Sequence, residues 1–137
     1  MPAYVITLTV PAGTKQEKPA YKLQEFEQSV IVRMEVFFPP GCRGTVYTRC
    51  LFGNTQIAPA NPGEAFSGSG ETISFPDFFI IPYDRAKLRF EAWSPSARYD
   101  HTIQWRVYTL PLSVALPLSR WEVLFSRIER LLEIFRV

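Results

Sequence analysis

The segment VFFPPGCRGTVYTRC, residues 36–50, contains two strand-like runs joined by a corner. An apolar run meets Pro39 and Pro40, and a second run of alternating polarity begins after Gly44. A strand ends at such a proline pair, because proline cannot donate to a β-ladder and biases the residue before it. The segment therefore predicts two β-strands separated by a tight corner.

Period-two alternation continues on both sides of this corner, which is typical of half-buried strands. The predicted inward residues are Val30, Val32, Met34, Val36 and Phe38 before the corner, and Val46, Thr48, Cys50 and Phe52 after it. Further strand-like runs are Tyr4–Val10, Gln56–Ile57, Thr72–Phe75, Phe78–Ile81, Leu88–Ala92 and His101–Tyr108. We expect residues 14–28 to form a surface loop, and residues 58–71 to form a long loop that is functional or buried in an interface. Short strands with long loops and no helix between them predict an all-β fold, an antiparallel, jelly-roll-like β-sandwich.

The last twenty residues change to a helical period. Ser119 and Glu122 have the spacing of a capping box, and the pattern predicts one amphipathic α-helix at the C-terminus. The predicted apolar anchors of this helix are Trp121, Phe125, Ile128, Leu132 and Phe135.

The chain therefore divides into three predicted parts: a β-sandwich domain over residues 1–110, a proline-containing hinge over 111–117, and the helix over 118–137. An isolated helix of this length is marginal in water, so its apolar face must be buried. Three sites of burial remain open: the chain's own sandwich, another copy of the chain, or a different protein.

The composition excludes several classes of partner. Charged residues make up 20% of the 137 residues and the net charge is +2, with the basic residues dispersed. A nucleic-acid binder concentrates positive charge on one face, so no nucleic-acid partner is expected. The N-terminus lacks the features of a signal peptide, and no segment approaches the ~20 apolar residues of a membrane span. We expect synthesis in the cytoplasm and no membrane association.

Cys42 and Cys50 are the only two cysteines, and His101 is the only histidine. Zinc requires four ligands, so these residues predict no metal site, and we expect one buried thiol and one corner thiol. Asp100 and His101 could form two-thirds of a catalytic triad with Cys42 or a serine. No G-x-S-x-G nucleophile pattern is present, so we predict no catalytic residue, no cofactor and no enzymatic activity. A hydrolase would need a cleft that joins His101 to a nucleophile.

Four aromatic residues fall out of phase with the inward positions or lie in loops. They are the possible ligand or lateral contacts: Tyr47, Trp93, Tyr99 and Tyr108. Outward aromatic rings on a sandwich hold sugars or anchor protein interfaces. Phe37 and Leu51 also interrupt the polar faces, which favours the interface interpretation.

Three segments resemble small single-jelly-roll proteins of virus particles, namely the decoration, minor capsid or spike components of bacteriophages and archaeal viruses. The segments are FFPPGCRG, TVYTRCLFGNTQIAPANPGE and LRFEAWSPSARYDHTIQWRV. The resemblance implies a structural or attachment protein that forms homo-oligomers, contacts other particle proteins and resides in the virion. It transfers no catalytic residue. The alternative from a different class is a carbohydrate-binding β-sandwich module, with a glycan as the partner.

Overall fold

The computed structural model describes residues 2–115 together with Arg127, Ile128 and Arg130. Within residues 2–115 the chain forms eight strands and one helical turn. The elements are β1 (Ala3–Val10), β2 (Ala20–Phe26), β3 (Val30–Phe38), β4 (Tyr47–Phe52), β5 (Thr55–Ala58), β6 (Glu71–Ile80), β7 (Ala86–Trp93), β8 (His101–Leu110) and α1 (Leu112–Ala115).

The first strand along the chain pairs with the last, the second with the seventh, and so on towards the middle of the sequence. β1 pairs with β8, β2 with β7, β3 with β6 and β4 with β5, all antiparallel. The pairs β3–β8 and β4–β7 then join this ribbon into two sheets. The first sheet has the order β1-β8-β3-β6 and the second sheet has the order β2-β7-β4-β5. An eight-stranded ribbon wrapped into two four-stranded sheets is a jelly roll, so the predicted fold class is confirmed.

The corner at residues 39–46 carries the chain from the first sheet to the second, because β3 and β4 lie in different sheets. Gly41 and Gly44 take positive φ angles of 96° and 70°, which glycine adopts without a side-chain clash. The two predicted strands and the tight corner between them are therefore confirmed.

The core lies between the two sheets. Trp105 on β8 is fully buried and its ring centroid lies 5.3 Å from that of Phe90 on β7. The largest fully buried side chains are Trp105, Phe26, Phe38, Phe90, Ile6, Ile31, Met34, Ile81, Leu88 and Ile103. Burial of apolar area on this scale is the main stabilising contribution to such a domain.

The prediction of a loop over residues 14–28 was wrong, because β2 occupies its second half. β2 is an edge strand of the second sheet and pairs only with β7 among the described elements. Edge strands carry charged and polar side chains that a central strand excludes, and Lys22, Gln24 and Glu25 obscured the pattern.

Two further details differ from the sequence-based expectation. β6 is one continuous strand through Pro76, whereas two short pieces were predicted. β6 lies at the edge of the first sheet, where a residue without an N–H is tolerated. In β3 a register shift between Ile31 and Arg33 moves Ile31 into the core and leaves Val32 half-buried, so Val32 is not in phase with Met34.

The two ends of the sandwich differ in loop length. Residues 11–19, 39–46, 59–70 and 94–100 connect strands at one end, which we call the long-loop end. Backbone hydrogen bonds tie these loops in pairs: Gly13 N donates to Ser94 O at 3.0 Å, and Gly70 N donates to Pro39 O at 3.3 Å. The opposite end has the short connections 27–29, 53–54 and 81–85. Binding residues concentrate on loops held by a rigid scaffold, so a ligand site is expected at the long-loop end.

Beyond β8, residues Leu112–Ala115 form the single turn α1, within the predicted hinge. Of the five predicted helix anchors, Ile128 is helical and 40% exposed. The other four, Trp121, Phe125, Leu132 and Phe135, lie outside the described residues. In the part of the chain that the structure describes, no helix is long and apolar enough to cross a membrane.

Candidate functional site

The outer face of the second sheet holds a buried carboxylate between two arginines. Glu91 on β7 accepts hydrogen bonds from Arg49 Nε at 2.9 Å and from Arg89 Nε at 2.8 Å. A second nitrogen of the same guanidinium group, Arg49 Nη2, also lies 2.9 Å from Glu91 Oε1. The Glu91 side chain is only 7% exposed, because the two guanidinium groups cover it. Bonds of this charge-assisted type are shorter and stronger than neutral ones.

Aromatic rings extend this cluster in both directions. The Arg89 guanidinium lies 4.0 Å from the Tyr21 ring centroid, and that of Arg49 lies 5.4 Å from the Trp93 ring. Tyr47 in turn stacks on Trp93, with centroids 6.2 Å apart and an interplanar angle of 19°. We call these six residues the outer-face cluster: Tyr21, Tyr47, Arg49, Arg89, Glu91 and Trp93.

This packing changes what the predicted aromatic contacts can do. Trp93 is on the outer face, as its phase indicated, yet it is 6% exposed and offers little free ring surface. Tyr108 lies on the other sheet, opposite Arg33 in the β3–β8 register. Tyr99 lies in the 94–100 loop and is 74% exposed. The structure therefore brings Tyr47 and Trp93 together and leaves Tyr99 and Tyr108 apart, so the four form no single platform.

The outer face of the first sheet carries a second carboxylate between arginines. Glu35 on β3 lies 3.5 Å from Arg33 Nε and 3.5 Å from Arg106 Nη1. Arg106 also lies 6.0 Å from the Phe37 ring centroid. These pairs are more exposed and longer than those of Glu91, so each contributes less to stability. Val5 and Phe78 lie exposed on the two edge strands of this sheet.

A cleft of about 700 Å³ opens at the long-loop end, between the 39–46 corner and the 94–100 loop. We call it the loop-end cleft, and its lining residues are Pro40, Gly41, Cys42, Arg43, Thr45, Ser96, Ala97, Arg98, Tyr99 and His101. Arg43 takes a φ of 49° in the corner, and the side chains of Arg43, Arg98 and Tyr99 are exposed. The volume is within the range of small-ligand sites.

Cys42 and His101 both line this cleft, and a thiol hydrolase would use such a pair as nucleophile and base. Cys42 is fully buried, and burial raises the pKa of its thiol, which disfavours the nucleophilic thiolate. Asp100 Oδ1 accepts from Ala12 N at 2.8 Å, so this carboxylate oxygen is bonded to the 11–19 loop. The cleft therefore joins a histidine and a cysteine without activating the sulfur.

Both cysteines are free thiols and both are buried. Burial and the nearby Asp77 charge raise the pKa of Cys50 well above its ordinary value. The expectation of one buried thiol is met at Cys50, whereas Cys42 in the corner is buried as well. Within residues 2–115, 127, 128 and 130, no three His, Cys, Asp or Glu side chains are grouped as metal ligands.

Sequence reasoning named Tyr47 and Trp93 of the outer-face cluster and Tyr99 of the loop-end cleft as possible contacts, but it missed the charged residues that complete both sites. Arg43 and Arg98 lie in different loops that only the folded topology brings to one cleft. Alternation with inward residues predicts that Arg49, Arg89 and Glu91 lie on the outer face of the sheet. It does not predict which of these side chains contact each other. Cross-strand register supplies the missing information, because Arg49 pairs with Glu91 between β4 and β7.

The chain matches no protein-family model and no curated protein sequence.

Proposed function

We propose that this chain is a non-enzymatic assembly protein, an oligomeric component of a virus particle with a decoration, minor capsid or attachment role. The jelly-roll topology supports this proposal, because double-sheet jelly rolls are used in viral capsid and lectin domains. Fold alone does not decide function, so the choice between these two classes depends on the surface.

The exposed apolar side chains on the sheet surfaces favour the assembly protein over the sugar-binding module. Four large apolar side chains on the outer faces of the sheets are between 49% and 56% exposed: Val5 and Phe78 on the first sheet, and Tyr21 and Leu23 on the second. Lateral contacts with neighbouring subunits would bury such side chains, as interface cores do. Trp93, which a sugar-binding platform on this face would use, is instead covered by Tyr47 and Arg49.

The C-terminal segment supplies the second element of the proposed assembly. Its predicted apolar anchors include Ile128, which is helical and 40% exposed on this chain. Neighbouring subunits or other particle proteins would bury this face, with an ordinary stable contact covering about 1,200–2,000 Å².

The test uses the full-length chain and two double variants that lower the net charge by the same amount. Phe125→Asp with Leu132→Asp places charge on the predicted apolar face and is expected to abolish self-association in sedimentation velocity. Arg127→Gln with Arg130→Gln changes two exposed helical residues, and its sedimentation profile should match that of the unmodified chain. Circular dichroism separates loss of assembly from loss of folding. Unchanged association of the Asp variant would refute the role of the helix.

A further inference from the structure

We propose that the loop-end cleft binds an acidic saccharide, a sugar that carries a carboxylate or sulfate group. This inference is independent of the proposed assembly, because it concerns residues that the outer faces and the C-terminal segment do not include.

The charge of the cleft selects an anion. Arg43 approaches from the 39–46 corner and Arg98 from the 94–100 loop. Among the residues that the structure describes, the lining contains no aspartate or glutamate. Neither arginine forms an ion pair with any residue that the structure describes, unlike the four arginines bound to Glu35 and Glu91. Two guanidinium groups with no ion-pair partner among the described residues, at one cleft, can bind carboxylate or sulfate oxygens.

The neutral part of the lining selects a sugar. Tyr99 is the most exposed large apolar side chain in the described residues, at 74%, and it lies on the cleft wall. An exposed ring with an apolar face and a polar tip suits the mixed surface of a pyranose ring. Ser96 adds an exposed hydroxyl group that can donate and accept hydrogen bonds.

The size of the cleft and the total charge disfavour a polyanion. The volume of about 700 Å³ suits one compact ligand. A nucleic-acid surface instead tracks many phosphates with a continuous basic stripe, and the net charge of this chain is only +2.

Isothermal titration of the full-length chain with three probes tests the proposal. The probes are sialyllactose, a sulfated lactose and neutral lactose. We expect at least one acidic probe to bind and lactose not to bind, with an affinity that falls as salt is added. Arg98→Gln and Arg43→Gly should each weaken binding about tenfold or more, since each removes a charge-assisted bond. Tyr99→Ala should also weaken it by removing the ring.

Arg43→Gly has a matched control. Arg43 and Arg85 both take positive φ angles, 49° and 63°, and glycine adopts either conformation without strain. Arg85 lies at the opposite, short-loop end, so Arg85→Gly removes the same charge from the same backbone conformation without touching the cleft. Its affinity for the acidic probe should equal that of the unmodified chain.

Three results would overturn the proposal. The first is that neither acidic probe binds, and the second is that Arg43→Gly and Arg85→Gly lose the same amount of affinity for the acidic probe. The third is that the Tyr99→Ala variant binds the acidic probe with full affinity and inorganic sulfate displaces the probe completely. The last result would make the cleft a general anion site. Light scattering on the same samples reports assembly separately, so failure of binding and failure of the proposed assembly are distinguishable.

Discussion

Trp105 Nε1 donates a hydrogen bond to Thr48 Oγ1 at 2.9 Å, and this bond joins the two sheets through the core. Thr48 Oγ1 in turn donates to the backbone carbonyl of Glu91 at 2.7 Å. These two hydrogen bonds form a relay from β8 of the first sheet, through Thr48 on β4, to β7 of the second sheet. All three residues are buried. The backbone of Thr48 also exchanges hydrogen bonds with Phe66, which fixes the 59–70 loop against the same site.

Replacing Thr48 by valine keeps the shape and removes the hydroxyl group. The Trp105 N–H and the Glu91 carbonyl then lose a buried partner, and the free energy of unfolding should fall by about 1–3 kcal/mol. Urea denaturation measures this loss. Thr102→Val on the exposed side of β8 is the control and should stay within about 0.5 kcal/mol of the unmodified chain. Equal effects of the two substitutions would show that the relay contributes nothing.

The Trp105–Thr48 contact also predicts a coupling. Trp105→Phe removes the donor of the same hydrogen bond whose acceptor Thr48→Val removes, so the double variant should lose less stability than the two single variants lose together. Strict additivity in a double-mutant cycle would contradict the assignment of this bond as the link between the sheets.

The outer-face cluster depends on the charge of Glu91. Glu91→Gln leaves Arg49 and Arg89 facing each other across a neutral amide, and we expect a loss of about 1.5–3 kcal/mol in the free energy of unfolding. Chemical denaturation of this variant is compared with that of Glu17→Gln, which neutralises an exposed loop carboxylate. If both variants retain full stability, the cluster does not stabilise the second sheet.

Cys50 predicts a dependence of stability on alkaline pH. The pKa of its buried thiol is raised above the ordinary value of 9.0, so the folded chain holds this proton more tightly than the unfolded chain. The stabilisation is complete below pH 9, and it is lost as pH rises from there through the higher pKa of the folded state. In the Cys50→Ala variant, the free energy of unfolding should therefore decrease less steeply with pH above pH 9 than in the unmodified chain. An unchanged slope would show that the thiol is not the titrating group.

The two buried thiols should also resist modification. Because burial raises the pKa of both, neither presents a thiolate at neutral pH in the folded chain. A thiol-specific reagent should label both cysteines only after denaturant is added. Fast labelling of Cys42 in the folded chain would contradict its burial at the cleft wall.

The sequence was sufficient for the elements whose pattern is local. Alternation located β3, β4 and β8, and Pro39 and Pro40 located the corner between the sheets. β2 was missed because a polar edge strand does not alternate strongly, and β6 was divided because Pro76 is tolerated only at an edge. Edge position is a property of the assembled sheet and cannot be read from one segment.

The candidate sites show the same limit. Alternation placed Trp93 on the outer face correctly, but whether its ring is free depends on Tyr47 and Arg49, which belong to another strand. The loop-end cleft likewise needs two distant loops to meet. Spacing within a strand predicts the face of a side chain, whereas tertiary pairing decides its exposure.

The native mass of the full-length chain, measured by light scattering coupled to size exclusion, tests the proposed assembly most directly. We expect a discrete multiple of the 15.7 kDa chain mass, and we expect the Phe125→Asp, Leu132→Asp variant to have the mass of a single chain. A uniform 15.7 kDa species at every protein concentration would contradict self-assembly as the function of this jelly roll.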